Sequence, residues 1–207
     1  MTTNPLDIAL QAACPTVMVP QYGDLAPLDK PGHRFLSTSN GLWIEIRRPW
    51  LHMIWPVATQ TAFPNPYGAV EKKVELAFGK IPTNLIARFA ADASEAFPNE
   101  CGAWLIWDDH EKQLRYHAMP SLVASGSYLE AQRPDLEEHE SLAVNLHSHG
   151  RHAAGFSSTD DRDDRNEVKI AGVIGSLHTD SPTAAFRICT GGEFINLDVE
   201  KLLPALG

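Results

Sequence analysis

A chain of 207 residues with 26 acidic against 17 basic side chains carries a formal charge of −9, the wrong sign for a partner gripped through its phosphates. That length can bury a sizeable core, enough for one good domain with a smaller one beside it. Nowhere do eighteen apolar residues follow one another, so no membrane span is expected, and the opening MTTNPLDIALQAACPTVMVP lacks the basic start of a secretory signal and carries Asp7.

Residues 1–78 differ from the remainder in being rich in proline and tryptophan. Leu42, Ile44 and Ile46 alternate with Trp43, Glu45 and Arg47, the period of a strand. Pro49 and Pro56 are expected to break that run, and Phe63 to Gly68, FPNPYG, to form a loop. The region reads as small and β-rich, with no role assigned. His33 and His52 read as surface or core histidines.

From residue 79 onward the pattern changes. Leu85, Ile86, Phe89, Ala90 and Ala93 recur at steps of three and four, which predicts a helix capped by Thr83 and running to about Ala96. Pro98 ends it, and Glu100 stands just before a strand at Ala103 to Trp107. Asp108 to Glu111 turns that strand back as Leu114 to Met119. Ser121 to Arg133, with Gly126 inside it, reads as loop, and Pro134 to Glu140 as a short acidic helix. Leu142 to Leu146 is short and apolar enough to be a buried strand. A charged helix follows at about Ser158 to Glu167, then strands at Ile170 to Leu177 and Ala184 to Cys189. Gly191-Gly192 turns the chain into Phe194 to Leu197, before a last helix at Val199 to Leu203. Helices and strands mix without regular alternation, so the fold class is α+β. Cys14, Cys101 and Cys189 are odd in number and far apart, as expected of reduced thiols in a cytoplasm rather than a disulfide framework.

The stretch His147 to Asp160, HSHGRHAAGFSSTD, carries the chemistry. Residues two apart on a strand share a face, so His147 and His149 can grip one ion. Ser157 or Ser158 reads as a helix N-cap with acids in the first turn, which brings the Asp160 carboxylate to the same place. Two imidazoles and one carboxylate leave a fourth tetrahedral position open, the arrangement of a catalytic zinc. An H-x-H pair alone is weak evidence; serine and aspartate at these offsets, directly after an apolar strand, strengthen it. Ser158 with Asp161 would also read S-x-x-D, but one residue too far from His149. Asp163 and Asp164, with Arg162 and Arg165, read as a solvated helix face. His152 lies close by in the loop, while His117, His139 and His178 have no partner at ligand spacing. Cys101 neighbours Glu100 on a strand and is expected to face the opposite side.

H-x-H-x7-S-x2-D resembles the signature of the JAMM (MPN-plus, JAB) metalloproteases, which remove ubiquitin-like proteins or cleave peptides next to them. That family also has a glutamate upstream, near the start of an earlier strand and soon followed by glycine. Residues 98–105, PNECGAWL, supply it, with Glu100 in the matching place. For residues 79–207 the resemblance implies the MPN/JAB-like (cytidine-deaminase-like) fold, a curved mixed sheet flanked by helices. It implies one Zn2+ held by His147, His149 and Asp160, with Glu100 as general base. Zinc lowers the pKa of bound water from 15.7 to roughly 7, and a carboxylate beside that water can pass its proton to the leaving amine. Ser157 would donate to the carbonyl oxygen as charge grows there, a contact whose loss costs about a hundredfold or more in rate; as an ordinary N-cap it is worth about 1 kcal/mol. The implied activity is hydrolysis of a peptide or isopeptide bond at a ubiquitin-like tail. A non-catalytic protein-binding module of the same fold, and a zinc hydrolase of small amides, are the alternatives.

The separate N-terminal part and the histidine loop are similar to the PRTRC-system branch of that family. Its members are encoded with an adenylating, E1-like protein and a small ubiquitin-like protein, which makes a ubiquitin-like protein or its conjugate, and an E1-like protein, the implied partners. Two departures stand out. Gly150 replaces a proline common after the second histidine, which predicts a more mobile loop, and Trp107 stands where a glycine often follows the first strand. Other zinc and serine hydrolases are excluded by what is missing: no H-E-x-x-H helix, no C-x-x-C, and no second glycine around Ser157 for a nucleophile elbow.

Overall fold

The computed structural model describes residues 4–59, 65–119, 121–125, 128–131 and 133–203, and the chain divides into two compact units, Met1–Ala77 and Phe78–Gly207. The first unit begins with α1 (Pro5–Ala13), capped by the Asn4 side chain. Five strands follow, β1 (Thr16–Met18), β2 (Gly32–Thr38), β3 (Gly41–Arg48), β4 (Leu51–Thr59) and β5 (Lys73–Leu76). They form one sheet in chain order, with β1 parallel to β2 and the other neighbours antiparallel. Pro49 lies in the β3–β4 turn, as expected, whereas Pro56 sits inside β4 opposite Trp43. The register slips there between Leu42 and Trp43, and such an irregularity lets a strand keep a residue that cannot donate to the ladder. Along β3 the more deeply buried side chains include Trp43 and Glu45, while Leu42 and Ile44 are half-buried. Glu45 tolerates burial because the Arg34 Nε–H donates to it at 2.7 Å and the His52 ring lies 2.9 Å away. Phe63 and Pro64 of the predicted loop lie outside the described residues; Asn65 to Gly68 is irregular.

The second unit opens with α2 (Thr83–Ala96), whose N-cap is Pro82 rather than Thr83 and makes no side-chain cap bond. Its apolar stripe buries Phe89 and Ala93. β6 (Gly102–Asp108) is buried along its whole length, the expected result of a continuous apolar run covered on both faces. β7 (Gln113–Ala118) returns beside it. Two expectations fail next. Ser121 to Arg133 is not simply loop, because β8 (Ser121–Ser125) and β9 (Tyr128–Ala131) pair antiparallel; Gly126 between them lies outside the described residues. Residues 133–137 are not helical either, and a turn at Glu138–His139 leads into β10 (Glu140–Ser148). The segment after Pro134 offers one apolar side chain, Leu136, itself 41% exposed, so no buried stripe exists to hold a helix.

α3 (Ser158–Asp164), β11 (Val168–Gly175), β12 (Thr183–Thr190), β13 (Phe194–Leu197) and α4 (Val199–Leu202) complete the unit. The main sheet runs β13-β12-β11-β10-β6-β7. Only β10 and β11 are parallel within it, so the chain must cross over between them, and α3 is carried on that crossover. Parallel strands gather functional groups at their carboxyl ends. Here that end of β10 is His147 and Ser148.

Candidate metal centre

Burial drives β10 into the middle of the sheet: Ala143, Val144 and Leu146 have no exposed surface. With the strand fixed, alternation sets the faces. Ser148 turns inward and is fully buried, while His147 and His149 stay half-buried on the other side. Their Nε2 atoms lie 3.1 Å apart. The His149 N–H donates to the Ile174 carbonyl at 2.9 Å, so β11 fixes the residue just past the strand end.

The third group arrives with α3. Ser157 is its N-cap, in a reciprocal capping box with Asp160. The Asp160 N–H donates to the Ser157 hydroxyl oxygen at 3.2 Å, and both the N–H (2.6 Å) and the O–H (2.7 Å) of Ser157 donate to Asp160 Oδ2. That leaves Oδ1 turned to the imidazoles, 3.4 Å from His147 Nε2. One ligand atom each from His147, His149 and Asp160 lies within 4.8 Å of the others. Burial, opposed by the Asp160 charge and reinforced by His149, holds His147 neutral well below the ordinary imidazole range. A neutral imidazole offers a lone pair, which is what a metal ligand must do. Two imidazoles and one carboxylate oxygen converging in this way fit a divalent cation, and N/O donors in this number suit zinc with an open position.

Glu100 lines the same cleft, a space of about 380 Å3 that also touches His147, His149, Ser157 and Asp160. It is held there by its neighbour. The Cys101 N–H donates to Ser148 Oγ and the Ser148 N–H to the Cys101 carbonyl, each at 2.9 Å, so the approach to β6 is pinned to the end of β10. Cys101 Sγ lies 3.7 Å from Ser148 Oγ and does not line the cleft. Burial first, and the Asp160 charge second, push the Glu100 carboxyl up to about 7. A carboxylate poised there exchanges protons readily at neutral pH.

Gly150 has a steric reason to be glycine. Its φ is +50°, and a side chain would meet the Pro98 carbonyl oxygen at 2.8 Å. The loop expected to be more mobile is tied by backbone bonds from Leu177 to Gly150 and from Ser176 to His152. Trp107 is buried and donates to Asp109. His152 and His178 are exposed; His117 packs its ring 5.8 Å from Trp104, and His139 stacks on His110. A second grouping, Asp108, His139 and Glu140, could also surround an ion, but Arg115 pairs with both of its acids.

One reading of α3 is corrected. Arg162 and Asp163 are exposed as expected, but Asp164 is buried, paired with Lys169 Nζ and Arg187 Nη2 at 2.7 Å each. Lys169 and Arg187 escaped the sequence reading. The signal was a single cation inside each of two apolar strand runs, VKIAGVIG and AAFRIC, since a charge there requires a buried partner.

Residues 82–189 match the family described as prokaryotic homologs of the JAB domain. Residues 4–77 match a domain of unknown function, DUF2016. No curated protein matches the chain. Among solved structures, the solution structure of protein DSY2949 from Desulfitobacterium hafniense is similar at 14% identity, covering 57% of this chain and 89% of that one with a TM-score of 0.44.

Proposed function

The chain belongs to the prokaryotic homologs of the JAB domain, and from that premise we propose that it is a zinc-dependent peptidase or isopeptidase acting at the tail of a ubiquitin-like protein or on its conjugate. The observation that carries this reading is the convergence of His147, His149 and Asp160, within 4.8 Å, in one cleft with Glu100. Zinc, when bound by those three residues, supplies a Lewis acid that makes water nucleophilic near neutral pH. Glu100 Oε accepts the proton of the attacking water and delivers it to the leaving amine nitrogen, which cannot depart as an anion. Ser157 Oγ–H turns from Asp160 Oδ2 toward the substrate carbonyl oxygen as negative charge builds on it. An adenylating, E1-like protein is the partner that would supply or conjugate such a tail. Three free thiols, Cys14, Cys101 and Cys189, suit a cytoplasmic setting, and among the described residues no helix is long and apolar enough to cross a membrane.

The test has two parts. Metal analysis of the purified chain should find one zinc, and the zinc-loaded chain should cleave a ubiquitin-like protein fused through its C-terminus while leaving a panel of small amides intact. Zinc binding with no cleavage of either would favour a binding module of the same fold. Cleavage of the small amides alone would point to a small-molecule hydrolase.

A further inference from the structure

Asp160 is delivered by a helix with nothing apolar in it. The sequence of α3 is STDDRDD, and among its side chains only Asp164 is buried. A helix on a sheet is ordinarily placed by the apolar stripe it buries, and seven residues are too few to persist alone. Something else must fix this one.

Arg187 does. It projects from β12, which is two strands away from β10, with its side chain 4% exposed. Its guanidinium lies between two rings, 3.9 Å from the centroids of Phe156 and Phe194. Its two terminal nitrogens bond α3: Nη1 donates to Asp161 Oδ1 at 2.5 Å and Nη2 to Asp164 Oδ2 at 2.7 Å. Asp161 and Asp164 are three apart and share a helix face, so the fork holds both turns of the helix at once. Phe156 directly precedes the N-cap Ser157, so the stacking also fixes where the helix starts. Asp160, between Ser157 and Asp161, is left turned toward His147.

Resting on the reading of the triad as a zinc site, we infer that Arg187 is the positioning residue for the Asp160 ligand, and that it sets metal affinity without touching the metal. A lysine could keep the charge but neither the two-pronged fork nor the flat stacking surface.

The experiment compares the full chain with Arg187→Lys, Arg187→Ala and Asp161→Asn. It measures zinc affinity by competition with a chromophoric chelator, the visible spectrum of the cobalt-loaded protein, and the melting temperature of the metal-free form. Removing the outer support of a ligand typically lowers metal affinity 10- to 100-fold. Arg187→Lys should fall in that range with an altered cobalt spectrum and a metal-free fold that still melts cooperatively. Asp161→Asn removes one arm of the fork at a partly exposed site and should give a smaller loss in the same direction. Joined to Arg187→Lys, it should add less than its own effect. Lowered melting temperatures with zinc affinity and cobalt spectrum unchanged would overturn the inference, leaving Arg187 a purely structural residue. Should Arg187→Ala fail to fold, the lysine and asparagine variants still decide. A parent chain that binds no zinc would instead reject the metal site itself.

Discussion

The two carriers of the candidate ligands are built on opposite principles. β10 reaches its place by burying Ala143, Val144 and Leu146 between β6 and β11, and the two histidines follow from strand alternation. α3 buries no apolar side chain and is held by a capping box and by carboxylates paired with Arg187 and Lys169. Hydrophobic burial is insensitive to small changes of charge, whereas paired carboxylates respond to each proton and each substitution. The site thus combines a rigid half, fixed with the core, and a polar half whose geometry depends on a few charges.

The largest separation of the two should come from a residue that supports neither. Glu100→Gln leaves β10 and α3 intact, so zinc binding and folding should stay near the parent's while turnover of a ubiquitin-like fusion drops by about two to four orders of magnitude. The loss should appear in kcat rather than KM. A variant that loses its zinc would make Glu100 a ligand, and one that keeps full activity would place the base elsewhere.

On the core side, Leu146→Ala should remove about 2–5 kcal/mol of stability, read as a shift in the denaturant midpoint. Its zinc affinity, measured where the variant is still folded, should change little. A loss of affinity as large as that of the Arg187 variants would erase the contrast between the halves. Ser157→Ala should weaken α3 by about 1 kcal/mol through the lost cap and lower turnover less than Glu100→Gln does.

The smallest effect should be a pH effect. Burial raises the Asp164 carboxyl but is outweighed by Lys169 and by the Arg187 hydrogen bond, so its pKa lies below the ordinary 3.8. A carboxyl depressed in the fold binds its proton more weakly there than in the unfolded chain. Its contribution is therefore complete above that ordinary value and is lost as pH falls through the folded one. Asp164→Asn should lower stability at neutral pH and flatten the acid limb of the stability curve below about pH 4. An acid limb identical to the parent's would show that Asp164 carries none of it.

What could be seen in the sequence follows the same division. β10, β6 and the histidine pair were legible because apolar runs and period-two spacing are local signals, and Ser157 with Asp160 declared the capping box at a fixed offset. Asp164 was not, since DDRDDR looks solvated until Lys169 and Arg187 are known to lie beneath it, the latter 23 residues on. The buried pair Arg34 and Glu45 was hidden likewise: alternation along β3 is clear, but which face turns inward depends on the cation opposite. The β8–β9 pairing was missed because a loop-like stretch there carried no turn signal apart from Gly126.

The distance along the chain between Asp160 and the cation that steadies its helix has a consequence for synthesis. Synthesis runs from the N-terminus, so His147, His149 and Asp160 join the chain before Arg187 does. Until β12 has joined the sheet, α3 has Lys169 of β11 as a partner but not the Arg187 fork, and the Asp160 carboxylate is held less firmly than the two imidazoles carried by β10. On the zinc reading of the triad, full metal affinity then comes late in folding, and a product cut short between residues 176 and 186 should keep β10, β11 and all three candidate ligands yet hold metal more weakly.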